Sequence, residues 1–155
     1  MAKKILIIDD LPRMRQEMRK ILNPMTSAVA ALEALEKPNE ASIDDRHRID
    51  EAGQGTAGVS LVRSALERGE GYDVILVDLK MPPGIDGIET IRRIRSLDSL
   101  VSIVLVTADP ESAIPMDSLK DANCGVMPPV FYKPLMATLR ELVNDLPVMS
   151  ARAAA

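Results

Sequence analysis

The sequence has very few of the residues that build covalent crosslinks or soft-metal centres. Its 155 residues include one cysteine, Cys124, and one histidine, His47. A single cysteine cannot form an internal disulfide or a cysteine-based zinc cluster. One histidine excludes a His-rich metal site and argues against a Ser-His-Asp triad. We interpret His47, which lies among charged residues, as a surface histidine, and Cys124 as a buried or half-buried thiol.

Long hydrophobic runs and an excess of basic charge are also absent. The net charge is −4 and the sequence pI is about 5.1, so no basic footprint for nucleic acid is present. No apolar run approaches the ~18 residues of a membrane span, and the N-terminus does not resemble a signal peptide. The sequence therefore predicts a cytoplasmic domain of ordinary globular composition that binds neither nucleic acid nor membrane.

Short apolar segments predict the strands of a parallel sheet that is covered on both faces. Three of these segments are continuous and rich in β-branched residues, which is typical of strands buried on both sides. A weaker segment contains Phe131, and a polar stretch is our candidate for an edge strand. The predicted strands, in chain order, are 5–8, 48–52, 74–77, 103–106 and 130–132.

Apolar residues with helical spacing lie between the predicted strands. Asp10 is a candidate N-cap for the first helix, and Pro12 suits its first turn. Pro115 weakens the pattern of the fourth helix. Strands that alternate with helices predict right-handed βαβ units and a doubly wound α/β fold. The five main helices are predicted near 11–22, 59–66, 88–97, 110–123 and 135–146, with Arg92, Arg93 and Arg95 on the solvated face of the third.

The connection at 25–48 is long for a helix-to-strand link, and we predict an extra helix in it at about 27–37. Residues 1–148 are interpreted as one domain with this insertion. Residues 149–155 are interpreted as a disordered tail, or as the point where a longer protein was divided.

Polar residues follow the predicted strands at the positions where a parallel sheet gathers its ligands. They are three carboxylates, Asp9, Asp10 and Asp78, with the hydroxyl of Thr107 and the amine of Lys133. Oxygen ligands without histidine or cysteine favour Mg²⁺, Mn²⁺ or Ca²⁺ over Zn²⁺. The lysine and the hydroxyl could hold phosphate oxygens. Asp78, which ends the central strand, is the best candidate for a nucleophile that forms an aspartyl phosphate.

This ordered set of motifs resembles the receiver domain of two-component response regulators. Each piece alone is unspecific, whereas the ordered set, which covers residues 3 to about 146, is specific. The segment 81–90 more narrowly resembles receivers of some bacterial hybrid sensor histidine kinases. The matching segments are 7–10, 77–82, 86–87, 106–108 and 133–134.

The resemblance implies a flavodoxin-like fold with strand order 2-1-3-4-5 and a signalling domain rather than a conventional enzyme. It implies that Asp9, Asp10, Asp78 and the backbone carbonyl of Lys80 bind Mg²⁺, with Mn²⁺ as a substitute. A sensor histidine kinase or a histidine phosphotransfer domain would donate the phosphoryl group. The domain would assist its own phosphorylation and dephosphorylation.

The same resemblance assigns Asp78 as the phosphoacceptor, Thr107 as a phosphate contact that moves on activation, and Lys133 as the partner of a phosphate oxygen. The Lys133–Pro134 peptide would be cis. The face made by the fourth helix, the fifth strand and the fifth helix would carry the switch and a homodimer contact.

The chain departs from the family pattern at three places. Val130 occupies the position where the family usually has an aromatic switch residue. A switch that depends on rotation of an aromatic side chain is therefore not expected at this position. The loop that contains Pro82 and Pro83 is one residue longer than the common pattern. The connection from Thr107 to Lys133 is also longer than usual, which predicts an irregular fourth helix.

Three other functions compete with the phospho-accepting one. A receiver-like docking or dimerisation module would use the same fold without control by phosphorylation. A metal-dependent phosphohydrolase commonly has a second acid two residues after its nucleophile, where this chain has Lys80. A flavodoxin-type flavin protein is disfavoured because the chain has no tryptophan and no evident phosphate loop.

Overall fold

The computed structural model describes residues 2–24, 46–133 and 138–149. Five parallel strands form a single sheet with the order β2-β1-β3-β4-β5, so the predicted doubly wound architecture is confirmed. The polar strand predicted at 48–52 is present at the edge of the sheet. The strands are β1 (Lys4–Ile8), β2 (Arg48–Ala52), β3 (Val74–Val77), β4 (Ser102–Thr107) and β5 (Val130–Tyr132).

The described residues form five α-helices, which connect or follow these strands. The predicted fourth helix is irregular: a short 3₁₀ helix at Glu111–Ala113 precedes it, and Pro115 is its N-cap. Proline cannot donate a backbone hydrogen bond, so a helix cannot run through this position undisturbed. The α-helices are α1 (Pro12–Leu22), α2 (Gly55–Glu67), α3 (Gly87–Leu97), α4 (Met116–Ala122) and α5 (Leu139–Asp145).

The two faces of the sheet bury separate hydrophobic clusters. Leu6 and Ile8 of β1 contribute to the cluster that includes residues of α2, α3 and α4. Ile5 and Ile7 contribute to the cluster that includes residues of α1 and α5. Successive strand residues point to opposite faces, so the continuous apolar runs reflect helices on both sides. No helix among the described residues is long and apolar enough to cross a membrane.

Most residues of the predicted apolar stripes of α2 and α3 are buried, and Leu66 and Leu97 are partly buried against the core. One arginine of α3 does not lie where it was predicted. Arg92 and Arg93 are exposed and pair with Glu89. Arg95 is instead half-buried, and its guanidinium donates to the carbonyl of Val101 at 2.6 Å and to the side chain of Asn123. A carbonyl and an amide oxygen thus hold the arginine between α3 and the end of α4.

Two further expectations are corrected. Asp10 is not the N-cap of α1, because Leu11 occupies that position and the side chain of Asp9 accepts the backbone N–H of Leu11 at 2.9 Å. Cys124 is exposed rather than buried. It has a φ of +57° where the chain turns away from α4, next to Gly125 with a φ of +79°.

The remaining interpretations concern the periphery of the domain. His47 is half-buried, and its Nδ1 accepts the backbone N–H of Lys3 at 3.1 Å. Met149, the first residue of the predicted tail, donates its backbone N–H to the side chain of Asp73. The helix predicted at 27–37, the Lys133–Pro134 peptide and the rest of the tail lie outside the described residues.

Candidate functional site

The register of the sheet places Asp9 and Asp78 side by side. Ile8 pairs with Val77, so the residues that follow them lie at the same level. The backbone N–H of Asp78 donates to the carbonyl of Ile8 at 2.9 Å, and that of Asp9 donates to Ala52 at 3.1 Å. The ladder of hydrogen bonds thus continues one residue beyond each strand and fixes the backbone of both aspartates.

Three carboxyl groups converge at this edge of the sheet. Asp9 is 0% exposed and Asp78 is 6% exposed, whereas Asp10 is half-buried. One oxygen atom from each of the three lies within 4.8 Å of the others. A single cation could therefore contact all three carboxylates at ordinary ligand distances.

Lys133 extends into this cluster from the end of β5. Its Nζ lies 2.9 Å from Asp9 Oδ2 and 3.4 Å from Asp78 Oδ2, and its side chain is 11% exposed. Burial by itself would lower the pKa of Lys133, but its close contact with the Asp9 carboxylate and the charge of Asp78 raise that pKa above its ordinary value. The lysine is therefore held as a buried ammonium ion.

The electrostatic balance of the cluster is unfavourable to the ionised form of Asp78. Burial and the neighbouring charge of Asp9 raise the pKa of Asp78 to about 6, although Lys133 opposes this shift. Lys133 supplies one positive charge against three carboxyl groups. A divalent ion with a preference for oxygen ligands, such as Mg²⁺ or Mn²⁺, fits both the donor set and the missing charge.

Thr107 and Lys80 are connected at the same edge of the sheet through Asp109. The hydroxyl of Thr107, a buried residue at the end of β4, accepts the backbone N–H of Asp109 at 3.0 Å. Lys80 Nζ lies 3.1 Å from Asp109 Oδ2. Sequence reasoning missed Asp109, and the available signal was only the turn-forming pair Asp109-Pro110.

The start of α3 packs directly on the backbone of the site. A Cβ on Gly87 would lie 2.3 Å from the carbonyl oxygen of Asp78, so no larger residue fits there without movement. The backbone N–H of Gly87 donates to Leu79 at 2.7 Å, and Asp86 caps α3 by accepting the N–H of Glu89. This contact explains why the motif places glycine directly after Asp86.

Arg15 is another residue that sequence reasoning missed. Its guanidinium donates to the carbonyl of Asp9 at 2.7 Å and pairs with Glu51 of β2 at 3.4 Å. The arginine thus supports the turn between β1 and α1 from the outside. Its helical position in the sequence gave no indication of this contact, because Glu51 is distant along the chain.

Comparisons with known protein families and solved structures identify relatives of this chain. A family model described as the response regulator receiver domain matches residues 40–127, more than half of the chain. The chain belongs to the response regulator receiver family. The matched span of this receiver domain contains Asp78 and Thr107, while Asp9 and Lys133 lie outside it and are brought alongside Asp78 by the sheet.

Solved structures of other receiver domains share the fold. A CheY-like receiver domain protein from Methanospirillum hungatei JF-1 has a TM-score of 0.64 and 19% identity, with 99% of this chain and 98% of that chain covered. The CheX-CheY-BeF₃-Mg²⁺ complex from Borrelia burgdorferi has a TM-score of 0.62 and 20% identity, with coverage of 91% and 86%. A search of curated proteins gave no match.

Proposed function

We propose that this receiver domain accepts a phosphoryl group on Asp78 in a Mg²⁺-dependent transfer from a phosphohistidine. The donor would be a sensor histidine kinase or a histidine phosphotransfer domain of a bacterial, cytoplasmic two-component pathway. The observation that supports this proposal best is the position of the Asp78 carboxyl, which lies buried between Asp9 and Lys133 at the end of the central strand. The proposed domain comprises residues 1–148.

In the proposed reaction, a carboxylate oxygen of Asp78 attacks the phosphorus of the phosphohistidine. A phosphorus–oxygen bond forms as the phosphorus–nitrogen bond breaks, and the electron pair of the broken bond stays on the imidazole nitrogen. The imidazole leaves as a neutral ring once it holds a proton on one nitrogen. Asp78 must be ionised to attack, so any group that lowers its raised pKa assists the transfer.

Asp9, Asp10, Asp78 and the backbone carbonyl of Lys80 would hold Mg²⁺ or Mn²⁺ in the proposed site. The ion, when bound, would neutralise charge on the carboxylates and on the phosphoryl oxygens. Lys133, which forms ion pairs with Asp9 and Asp78 in this structure, would donate a hydrogen bond to a phosphoryl oxygen.

Thr107 would donate its hydroxyl proton to a second phosphoryl oxygen. In this structure its oxygen accepts the N–H of Asp109, and a hydroxyl that accepts one hydrogen bond still has a proton to donate. Its movement would be transmitted to α4, β5 and α5, the proposed face for signalling and for a homodimer. Val130 of β5 is half-buried and packs against the core, so no aromatic side chain is proposed to switch at that position.

The decisive experiment is the intact mass of the protein after incubation with acetyl phosphate and Mg²⁺. We expect wild type to gain one phosphoryl group, Asp78→Asn to gain none, and the exposed control Asp117→Asn to behave like wild type. A second arm with a phosphorylated histidine phosphotransfer domain tests transfer from protein. Equal labelling of wild type and Asp78→Asn, or no labelling from either donor, would contradict the proposal.

The second candidate function is a docking module whose binding does not depend on phosphorylation. The observation that favours it is Val130, which replaces the aromatic switch residue usual in the family. It predicts that partner binding is the same for wild type and Asp78→Asn with or without a phosphodonor. Labelling of Asp78 together with a phosphodonor-dependent change in partner affinity would exclude it.

A further inference from the structure

An ion pair joins the two loops that follow β3 and β4. Lys80 Nζ lies 3.1 Å from Asp109 Oδ2, with the lysine side chain 72% exposed and that of Asp109 25% exposed. Lys80 is two residues after Asp78, and Asp109 is two residues after Thr107. The pair therefore connects the strand end that carries the proposed phosphoacceptor to the strand end that carries the hydroxyl.

Asp109 takes part in two contacts at once. Its side chain pairs with Lys80, and its backbone N–H donates to Thr107 Oγ1 at 3.0 Å. A displacement of the Thr107 hydroxyl must therefore move Asp109 or break this hydrogen bond. Beyond Asp109 the chain passes directly into the 3₁₀ helix Glu111–Ala113 and then into α4.

The exposure of the pair determines how easily it breaks. An ion pair between solvated side chains contributes little to stability, in contrast to a buried one. A phosphoryl group brings a charge of about −1.5 to −2 and three acceptor oxygens. A phosphoryl group on Asp78 would therefore compete strongly with the single carboxylate of Asp109 for the ammonium of Lys80.

We propose that Lys80 and Asp109 form a latch on the β4–α4 loop that phosphorylation of Asp78 opens. This inference rests on the proposed function. The latch is closed in the unmodified protein, where Lys80 holds Asp109 and Asp109 holds the hydroxyl of Thr107. Transfer of the Lys80 ammonium from Asp109 to a phosphoryl oxygen releases the loop that leads to α4. Asp109 is a positioning residue, because it acts through Thr107 and the loop, whereas Lys80 would contact the phosphoryl group itself.

The latch makes predictions of opposite sign for its two members. Asp109→Asn removes the competitor for Lys80, so phosphorylation by acetyl phosphate should be about two- to fivefold faster than in wild type. Lys80→Met removes the ammonium but keeps the aliphatic stem and the backbone carbonyl, so phosphorylation should be slower by a similar factor. A purely structural defect would change both rates in the same direction.

The test combines these rates with amide hydrogen exchange of the unmodified protein. In both variants the backbone amide at position 109 should exchange about two- to fivefold faster than in wild type, after correction for the intrinsic exchange rate of each sequence. The double variant should exchange no faster than either single one, because one interaction is lost in all three. Arg92→Ala, which breaks an exposed ion pair with Glu89 on α3, is the matched control and should leave the exchange of Asp109 unchanged.

The outcomes separate the latch from the proposed function. If wild type is phosphorylated on Asp78 but both variants match it in rate, or both change in the same direction, the latch is wrong and the proposed function stands. If the amide at position 109, corrected for its intrinsic rate, exchanges no faster in the two variants than in Arg92→Ala, the latch is also wrong. If wild type accepts no phosphoryl group from either donor, the proposed function fails and the latch fails with it.

Discussion

Lys133 Nζ lies 2.9 Å from Asp9 Oδ2 in a pocket where Asp9 has no exposed surface. The ammonium is farther, at 3.4 Å, from the proposed phosphoacceptor Asp78. The lysine in this structure is therefore primarily the counter-ion of Asp9. A new phosphoryl oxygen could draw it away from Asp9 only if another cation took over part of that charge, which is the position that Mg²⁺ would occupy.

Removal of this counter-ion should destabilise the fold and slow the chemistry. Lys133→Met leaves Asp9 and Asp78 buried without an ammonium, and loss of one partner of a buried pair typically costs about 3–5 kcal/mol. Because the lysine keeps some exposure, we expect a loss of about 2–4 kcal/mol in urea unfolding at pH 7. Lys120→Met, an exposed lysine on α4, is the control. An unfolding free energy equal to that of wild type would show that the pair contributes nothing.

Asp78→Asn should stabilise the unmodified protein at neutral pH. Because burial and Asp9 raise the pKa of Asp78 to about 6, the folded state binds more protons than the unfolded state between about pH 4 and pH 6. Stability from this group is therefore lost as the pH rises through that window. We expect the variant to be more stable by about 1–2 kcal/mol at pH 7.5 without Mg²⁺, and equal to wild type below about pH 4.

The dependence on Mg²⁺ provides the check on this prediction. Mg²⁺ should stabilise wild type through its binding free energy and should stabilise the variant less, so the gap between them narrows as the ion is added. Urea titrations at three pH values with and without Mg²⁺ measure both effects. A variant that is less stable than wild type at pH 7.5 would contradict the charge balance described for the site.

Asp10→Asn should weaken Mg²⁺ binding roughly tenfold or more, because the site loses a charge and a ligand of the kind that sets affinity for such ions. Asp10 is half-buried and contributes an oxygen to the carboxylate cluster. The chain has no tryptophan, so calorimetry, or Mn²⁺ followed by electron spin resonance, is the appropriate measurement. Asp117→Asn is the exposed control. An unchanged affinity of Asp10→Asn for Mg²⁺ would show that Asp10 is not a ligand of the ion.

Gly87→Ala should destabilise the protein, because the new Cβ would lie 2.3 Å from the carbonyl oxygen of Asp78. Crowding of a packed position costs about 1–3 kcal/mol, which exceeds the gain of ~1 kcal/mol from replacing glycine in a helix. Gly53→Ala is the matched control, since its Cβ would meet its nearest neighbour, Arg15, at 3.5 Å. Equal unfolding midpoints for the two variants would contradict this explanation of the motif.

The strands and their order could be predicted from the sequence, whereas the choice between neighbouring polar side chains could not. The strand at Arg48–Ala52 was predicted with its observed bounds although it is polar, because the chain needed one more crossover before Val74. The prediction of Asp10 as the N-cap of α1 was wrong because two adjacent aspartates compete for the same turn. Asp9 rather than Asp10 accepts the backbone N–H of Leu11. Composition alone does not decide such a competition.

Other errors concern contacts between residues that are far apart in the sequence. Arg95 was placed on a solvated face because its helical position points away from the apolar stripe, yet Val101 and Asn123 hold it between two helices. Asp109 was missed for the same reason, since its partner Lys80 lies on another loop. The positions of the site residues followed from strand ends, whereas the ion pairs between them depended on how the loops pack.

His47 should add a second pH dependence of opposite sign. Burial and the nearby charge of Lys3 lower the pKa of His47, and its Nδ1 must be unprotonated to accept the N–H of Lys3. The unfolded chain then binds this proton first as the pH falls through about 6.5, so the stability that the neutral ring contributes is lost in acid.

Because Asp78 changes stability in the opposite direction over an overlapping range, the effect of His47 is best measured in Asp78→Asn protein. Between pH 7 and pH 5, the free energy of unfolding of Asp78→Asn protein, which keeps His47, should fall more than that of the double variant Asp78→Asn/His47→Gln. Parallel profiles for the two proteins would show that the imidazole is equally solvated in the folded and unfolded states.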